Sequence, residues 1–244
     1  MAWLTVLGIP AAVYVVSILA LMVSVSEKPQ IPMLLAGVGV FTASIYIFHR
    51  VSILEVNPMQ KRHVIALEHT RFLYSISCLL LVGASILFVM LQPWFLVLAG
   101  GALVGIIVYG RKIVHAPLRN VMYVKPLAVG GAIAAFAWVL NDGSNVAWTL
   151  CAFILFCSAD ALLCDLEDVE YDVATGCHTV ASRYSRFVVW SIAGLFYLVG
   201  AFCLQTTIGW LFLLLFAAPI FTPKAVRTCV DVRPLLVLLL AWSL

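Results

Sequence analysis

Long apolar runs recur from one end of this 244-residue chain to the other. Eight of them reach or approach the ~20 residues that a helix needs to cross the hydrocarbon core of a bilayer. These runs cover about residues 4–25, 32–49, 72–91, 94–109, 124–140, 146–164, 187–205 and 208–221. A ninth run, 234–244, is shorter, and we expect a partial helix or the start of a truncated one. The pattern predicts an all-α, polytopic transmembrane bundle of eight to nine helices.

The composition excludes a soluble domain of this length. Only 10% of the residues are charged, against ~25% in a typical soluble domain. Because the apolar runs extend over the entire chain, we predict a single transmembrane domain over residues 1–244, surrounded by membrane lipid and without a nucleic-acid partner. The first run has neither a basic n-region nor a small-residue cleavage site, so we expect a retained helix. The oligomeric state stays open.

The lysines and arginines predict an orientation. If the N-terminus lies inside, thirteen of the fourteen fall in inner loops and only Lys28 lies outside. Basic residues are held on the cytoplasmic side of short loops. We therefore expect an integral protein of a bacterial or archaeal inner (cell) membrane, with a cytoplasmic N-terminus.

The most informative stretch is DLEDVEYDVATGCHT, residues 165–179. Asp165, Asp168 and Asp172 stand at i, i+3 and i+7, so they share one face of a helix. Three carboxylates within two turns repel one another unless a hard, oxygen-seeking cation such as Mg²⁺ lies among them. Protein-bound Mg²⁺ is usually shared between a few carboxylates and the phosphates of a substrate. The stretch therefore predicts three metal ligands and a diphosphate substrate, at the cytoplasmic end of the sixth run.

Asp160 is a carboxylate inside an apolar run. It lies five residues before Asp165, about 7.5 Å deeper along a helix. An acid at such a depth needs a partner, a water-filled cavity or a proton. We expect Asp160 to face the bundle cavity and to bind an acceptor molecule or a water network. The alternative is a protonated side chain bonded to a helix carbonyl or to Ser158. Glu167 and Glu170 point away from the aspartate face and are expected to be solvated.

The pattern D-x-x-D-x-x-x-D followed by G-x-x-T, here Asp165, Asp168, Asp172, Gly176 and Thr179, resembles the second aspartate motif of the UbiA superfamily of intramembrane prenyltransferases. The resemblance implies a bundle of usually nine membrane helices, with aspartate motifs at the cytoplasmic ends of the second and sixth helices. It implies that the three aspartates are catalytic and bind Mg²⁺ with the diphosphate of an allylic isoprenoid. That substrate ionises to a carbocation, which a lipophilic acceptor in the bundle captures.

Two basic residues are candidates for the diphosphate. Arg111 and Lys112 lie in YGRKIVHAPLRNVMYVKP, residues 109–126, which is similar to a Tyr-led basic loop of the family. Basic side chains there would neutralise charge on the leaving group. The alternative is that they only obey the positive-inside rule or contact anionic lipid. The apolar stretches are expected to line an isoprenoid chamber, where aromatic rings shield a carbocation. Candidates are Tyr109, Phe153, Phe156 and Trp190.

The first aspartate motif departs from the family pattern. The second run ends in YIFHRVSILEVNPMQKRH, residues 46–63, and His49 stands where the family has an aspartate before arginine. Neutral imidazole is a poor magnesium ligand. We therefore expect His49 and Arg50 to contact the diphosphate directly and leave the metal to the second motif. The alternative is a site that has lost the two-metal chemistry.

Three functions stay open. The first is Mg²⁺-dependent transfer of an isoprenoid chain from its diphosphate to an acceptor, which would make the protein a prenyltransferase. The second is a non-catalytic isoprenoid- or lipid-binding protein of the same fold. The third, a cation- or proton-linked transporter, is disfavoured because the acids cluster at one end and a relay needs acids at several depths.

Overall fold

The computed structural model describes residues 2–25, 32–52, 60–110, 121–122, 124–140, 147–218 and 225–243. This part of the chain forms twelve α-helices and no strand, which confirms the all-α prediction. The helices are α1 Ala2–Val6, α2 Ile9–Val25, α3 Pro32–Ser52, α4 Lys61–Glu68, α5 Thr70–Leu91, α6 Trp94–Gly110, α7 Val124–Leu140, α8 Ala147–Thr175, α9 Val180–Arg183, α10 Arg186–Leu204, α11 Thr207–Phe216 and α12 Val226–Ser243.

Four of the described helices, α3, α5, α8 and α10, are long and apolar enough to cross a membrane. Four further apolar helices, α2, α6, α7 and α11, are shorter. Each of the eight predicted runs is thus helical over most of its described residues, but half of these helices are shorter than a full span. The four long helices are compatible with embedding in a membrane.

The first predicted run, 4–25, is two helices. The helix is interrupted between α1 and α2, where Gly8 adopts a left-handed φ of +69°. A Cβ on Gly8 would lie 2.8 Å from the Cβ of Tyr46 on α3, so only glycine fits this close approach. Pro10 falls in the first turn of α2, where the missing N–H has no helical partner to lose. The prediction of one continuous helix was wrong because Gly8 and Pro10 together restart it.

Helix α12 begins before the predicted ninth run. It starts at Val226, eight residues ahead of Pro234, which lies inside the helix. Arg227, Asp231 and Arg233 interrupt the apolar pattern over its first two turns. These charged residues are part of the helix, so the helix is longer than the apolar run. Both arginines contact acids on α8.

The contacts divide the chain into two compact units, Met1–Val16 with Gln30–Pro117, and Ser17–Pro29 with Leu118–Leu244. In the first unit α3 packs on α5. There the Ser44 hydroxyl donates to the Ser77 carbonyl at 2.8 Å, and the Ser77 hydroxyl donates to the Ser44 carbonyl at 3.0 Å. In the second unit α8 is central and contacts α7, α9, α10 and α12. The single domain over residues 1–244 stays a prediction.

Helices α7 and α8 approach closely at Gly130. A Cβ at this position would lie 2.7 Å from the Ile154 carbonyl oxygen, whereas a Cβ on Gly131 would meet nothing within 4 Å. We expect Gly130→Ala to lower the free energy of unfolding by about 1–3 kcal/mol through overpacking. Gly131→Ala, the matched control, should raise it by up to about 1 kcal/mol through helix propensity. Denaturant unfolding in detergent micelles measures both, and equal effects would contradict the close packing.

Candidate functional site

All four aspartates singled out in the sequence lie on α8. The helix runs without interruption from Ala147 to Thr175, well past the end of the predicted run at residue 164. Asp160, Asp165 and Asp172 are buried, and Asp168 is partly buried. The spacing correctly predicts that Asp165, Asp168 and Asp172 belong to one helix.

Asp165 is paired with a base from the neighbouring helix. The ammonium group of Lys125, the second residue of α7, donates to the Asp165 carboxylate. The Lys125 side chain keeps part of its surface exposed, whereas that of Asp165 is buried. Desolvating a carboxylate is costly unless a cation compensates it, and Lys125 supplies that charge.

Asp168 is paired with a base from α12. The Arg227 guanidinium donates to Asp168 Oδ2 at 2.6 Å and to the Cys164 carbonyl oxygen at 3.3 Å. The Arg227 backbone N–H also donates to Glu167 Oε1 at 2.8 Å, so Glu167 caps the start of α12. Burial is the largest single effect and lowers the pKa of Arg227, but Asp168 and the other negative groups nearby, Glu167 among them, together raise the pKa above its usual value. Arg227 therefore ties α12 to α8 through its side chain and its backbone.

Asp172 is bonded to the segment that follows α8. Gly176 ends the helix in the left-handed conformation, with φ +70°, as glycine commonly does at this position. The chain then returns, and the Thr179 hydroxyl donates to Asp172 Oδ2 at 3.0 Å. Thr179 also caps α9, because its Oγ1 accepts a bond from the Ser182 backbone N–H at 3.2 Å. The G-x-x-T part of the motif thus places the Thr179 hydroxyl within hydrogen-bond distance of Asp172.

Asp160 has a buried base and a buried phenol as partners. Arg233 of α12 and the Tyr197 hydroxyl of α10 both donate to Asp160 Oδ1, and Arg233 also donates to the Tyr197 oxygen. The Arg233 guanidinium carbon lies 5.0 Å from the centroid of the Tyr197 ring. The prediction that an acid at this depth needs a partner is confirmed. The alternative that Asp160 bonds to Ser158 was wrong, since the Ser158 hydroxyl donates to the Pro126 carbonyl oxygen at 3.1 Å. The role of Asp160 in binding an acceptor stays a prediction.

A further acid, Asp231, lies one turn after Arg227 on α12. Burial raises the pKa of its carboxyl to about 6, Arg227 opposes the shift, and the charges of Asp160 and Glu167 add to it. Asp231 therefore titrates closer to neutrality than an ordinary aspartate. It adds negative charge beside Arg227 at neutral pH.

The aromatic candidates of the second unit are packed against other rings. Phe156 stacks on Phe212 with centroids 4.6 Å apart, and Phe153 meets Phe212 edge-on at 6.1 Å. Trp190 lies tilted against Phe216 at 5.3 Å. These are the contacts of a packed core. Tyr109 is outside the described side chains.

Four candidate residues belong to the first unit or are outside the described part of the chain. His49 and Arg50 are in the last turn of α3, in the first unit, and the aspartates belong to the second unit. Arg111 and Lys112 lie outside the described residues, so their contact with diphosphate stays a prediction.

Sequence reasoning did not predict the contacts of the aspartates with bases, which among the described residues are Lys125, Arg227 and Arg233. Two weak signals pointed to them. Lys125 and Arg227 stand in the first turn of a helix, where a cation opposes the helix dipole and is favourable only with an acid nearby. Arg233 directly precedes an apolar run, where a buried arginine needs an acidic partner.

The oxygen atoms near the end of α8 are of the type that binds Mg²⁺. Three carboxylates and the Thr179 hydroxyl are hard oxygen donors of the kind that Mg²⁺ prefers, so the residues fit the ion chemically. Within the described residues, however, no group of three or more His, Cys, Asp or Glu side chains is arranged to hold a metal. One oxygen each of Asp165, Asp168 and Asp172 is bonded to Lys125, Arg227 or Thr179. Two protein cations already relieve the repulsion that the acid spacing creates.

Neither models of known protein families, nor curated proteins, nor solved structures match this chain.

Proposed function

We propose that this protein transfers an isoprenoid chain from its diphosphate to a lipophilic acceptor within a membrane, with Mg²⁺ as cofactor, as in the UbiA superfamily. One observation carries the proposal. At one end of a helix long enough to span a membrane, the buried Asp165 and the partly buried Asp168 are in contact with bases from two other helices. A diphosphate site needs both signs of charge, because acids hold the cation and bases donate to phosphate oxygens.

The chain's residues take distinct roles in this proposal. Asp165, Asp168 and Asp172 would hold Mg²⁺, which when bound would neutralise the charge that grows on the diphosphate as the allylic C–O bond breaks. The electron pair of that bond leaves with the diphosphate. The nucleophilic atom of the acceptor forms the new bond to carbon and gives up a proton to solvent. The proposed diphosphate contacts are Arg111 and Lys112, with His49 and Arg50 at the altered first motif.

The proposed location is the cell membrane with the aspartate end cytoplasmic. Four long apolar helices support a membrane setting. The orientation rests on the lysines and arginines, which collect on one side of the predicted spans.

A second candidate is a non-catalytic isoprenoid- or lipid-binding protein. It is favoured by the neutralisation of Asp165 and Asp168 by Lys125 and Arg227, which needs no metal. His49 in place of an acid points the same way. A transporter is not favoured, because the deepest of the motif-helix acids, Asp160, is held by Arg233 and Tyr197.

The test is diphosphate release from geranylgeranyl diphosphate by the detergent-purified protein. We expect release with Mg²⁺, its loss after chelation and its return when Mg²⁺ is restored. Geranylgeraniol, which has the same chain without the diphosphate, is the control for binding by the apolar chain alone. Binding without release would establish the lipid-binding alternative. The absence of any Mg²⁺-dependent binding would overturn the prenyltransferase proposal.

A further inference from the structure

Helices α8 and α10 pack against each other in the second unit, and their contacts show an antiparallel register. Asp160 of α8 accepts from Tyr197 of α10. About one turn earlier on α8, Phe156 lies against Gly200, which is about one turn later on α10. A Cβ on Gly200 would lie 2.6 Å from Cε1 of Phe156, so the two helices approach closely there. The register therefore sets which residues meet between the start of α8 and the end of α10.

Two cysteines meet where this register continues. Cys151 is the fifth residue of α8, and Cys203 is the last but one residue of α10. Their thiols are within hydrogen-bond distance of each other. Both side chains are half-buried, so neither thiol is enclosed in the core. Two thiols in contact on neighbouring helices are placed to form a disulfide.

The cysteine pair lies near a boundary between membrane and water. Trp148 in the first turn of α8 and Trp210 in the first turn of α11 are both exposed, and tryptophan is enriched at such boundaries. Cys151 is about 6 Å along the helix from Ala147, where α8 begins, and about 21 Å from Asp165. The pair is therefore at the end of α8 opposite the acids, within reach of an aqueous oxidant. On the proposed orientation this end faces away from the cytoplasm, where disulfides persist.

We propose that Cys151 and Cys203 form a reversible disulfide that joins α8 to α10 at the end opposite the aspartates. This inference goes beyond the proposed function and does not depend on prenyl transfer. The oxidant is a disulfide compound. One cysteine, as its thiolate, attacks a sulfur of the oxidant, forms a mixed disulfide and releases one thiol. The other cysteine attacks the sulfur of the first and releases the second thiol. The two cysteines thus lose two electrons and two protons, and the oxidant is reduced to two thiols.

The test counts thiols in the wild-type chain, purified in detergent and equilibrated with oxidised glutathione. The protein is then denatured and alkylated with N-ethylmaleimide, and its intact mass is measured. We expect two of the seven cysteines to escape alkylation, and all seven to react after reduction with dithiothreitol. Digestion without reduction should give linked peptides that contain Cys151 and Cys203. Alkylation of all seven cysteines after oxidation, or a link between other cysteines, would overturn the proposal.

Variants give an independent measurement of the same link. Cys151→Ser and Cys203→Ser should each leave every remaining cysteine open to alkylation. Cys78→Ser is the matched control, because it removes an exposed thiol from the first unit and should keep the link. Peptide mapping of the wild type needs no variant, so it decides the matter if a variant does not fold.

Reduction should also change the thermal stability of the protein. A disulfide between α8 and α10 restricts the unfolded chain, so dithiothreitol should lower the Tm of the oxidised wild type by about 5–10 °C. The same reductant should leave the Tm of Cys203→Ser unchanged. An equal loss in the wild type and in Cys203→Ser would contradict a stabilising link between these two helices.

Discussion

Replacing Arg233 with methionine is expected to lower the free energy of unfolding by about 3–5 kcal/mol, the usual loss when one partner of a buried ion pair is removed. Arg233 and Asp160 are 1% and 2% exposed, so water cannot replace the lost guanidinium. The substitution leaves a buried carboxylate that accepts from the Tyr197 hydroxyl but has lost the guanidinium charge. Denaturant unfolding in detergent micelles, followed by circular dichroism, measures the change.

Two further variants separate the charge from the packing. Asp160→Asn combined with Arg233→Met removes both charges and keeps an oxygen that accepts from Tyr197, so most of the lost stability should return. Arg227→Met breaks a pair that keeps some access to solvent, so it should cost less, about 1–3 kcal/mol. If Arg233→Met costs no more than Arg227→Met, the buried pair does not hold α12 on α8.

The apolar runs located the principal helices because a membrane-type helix needs a continuous apolar stretch. They did not locate helix ends that carry charge. Helix α8 continues past residue 164 through its aspartates, and α12 begins before residue 234 at its arginines. The charged side chains at the end of α8 and at the start of α12 contact partners on other helices. Each helix therefore continues through residues that are not apolar.

The partners themselves could not be predicted from periodicity. The spacing of Asp165 and Asp168 shows that they share a helix face, which is local information. Their bases are far away in sequence, 40 residues for Lys125 and 59 for Arg227, and the base of Asp160 is 73 residues away. Such contacts depend on how α7 and α12 pack against α8. The inference from clustered acids to a metal assumed that no base was within reach, and the fold supplies two.

Asp168→Asn is expected to reduce Mg²⁺-dependent release of diphosphate from geranylgeranyl diphosphate at least about 100-fold. Residues that only orient a metal ligand cost about 10- to 100-fold when replaced, and a direct ligand should cost more. The amide loses the negative charge that attracts the cation, although it keeps an oxygen that accepts from Arg227. Stability should therefore change by at most about 1 kcal/mol, as for other partly exposed pairs. Single-turnover release of diphosphate, measured beside denaturant unfolding, tests both statements.

Glu170→Gln is the matched control, because it removes one negative charge from the same helix at an exposed position. Glu170 is two residues after Asp168 and lies about 200° around the helix from it. If release requires the acids of one face, Glu170→Gln should keep wild-type activity while Asp168→Asn loses it. Equal losses would mean that only the total charge near the helix end matters. Full activity in Asp168→Asn would remove Asp168 from the metal site and leave its pair with Arg227 as a link between α8 and α12.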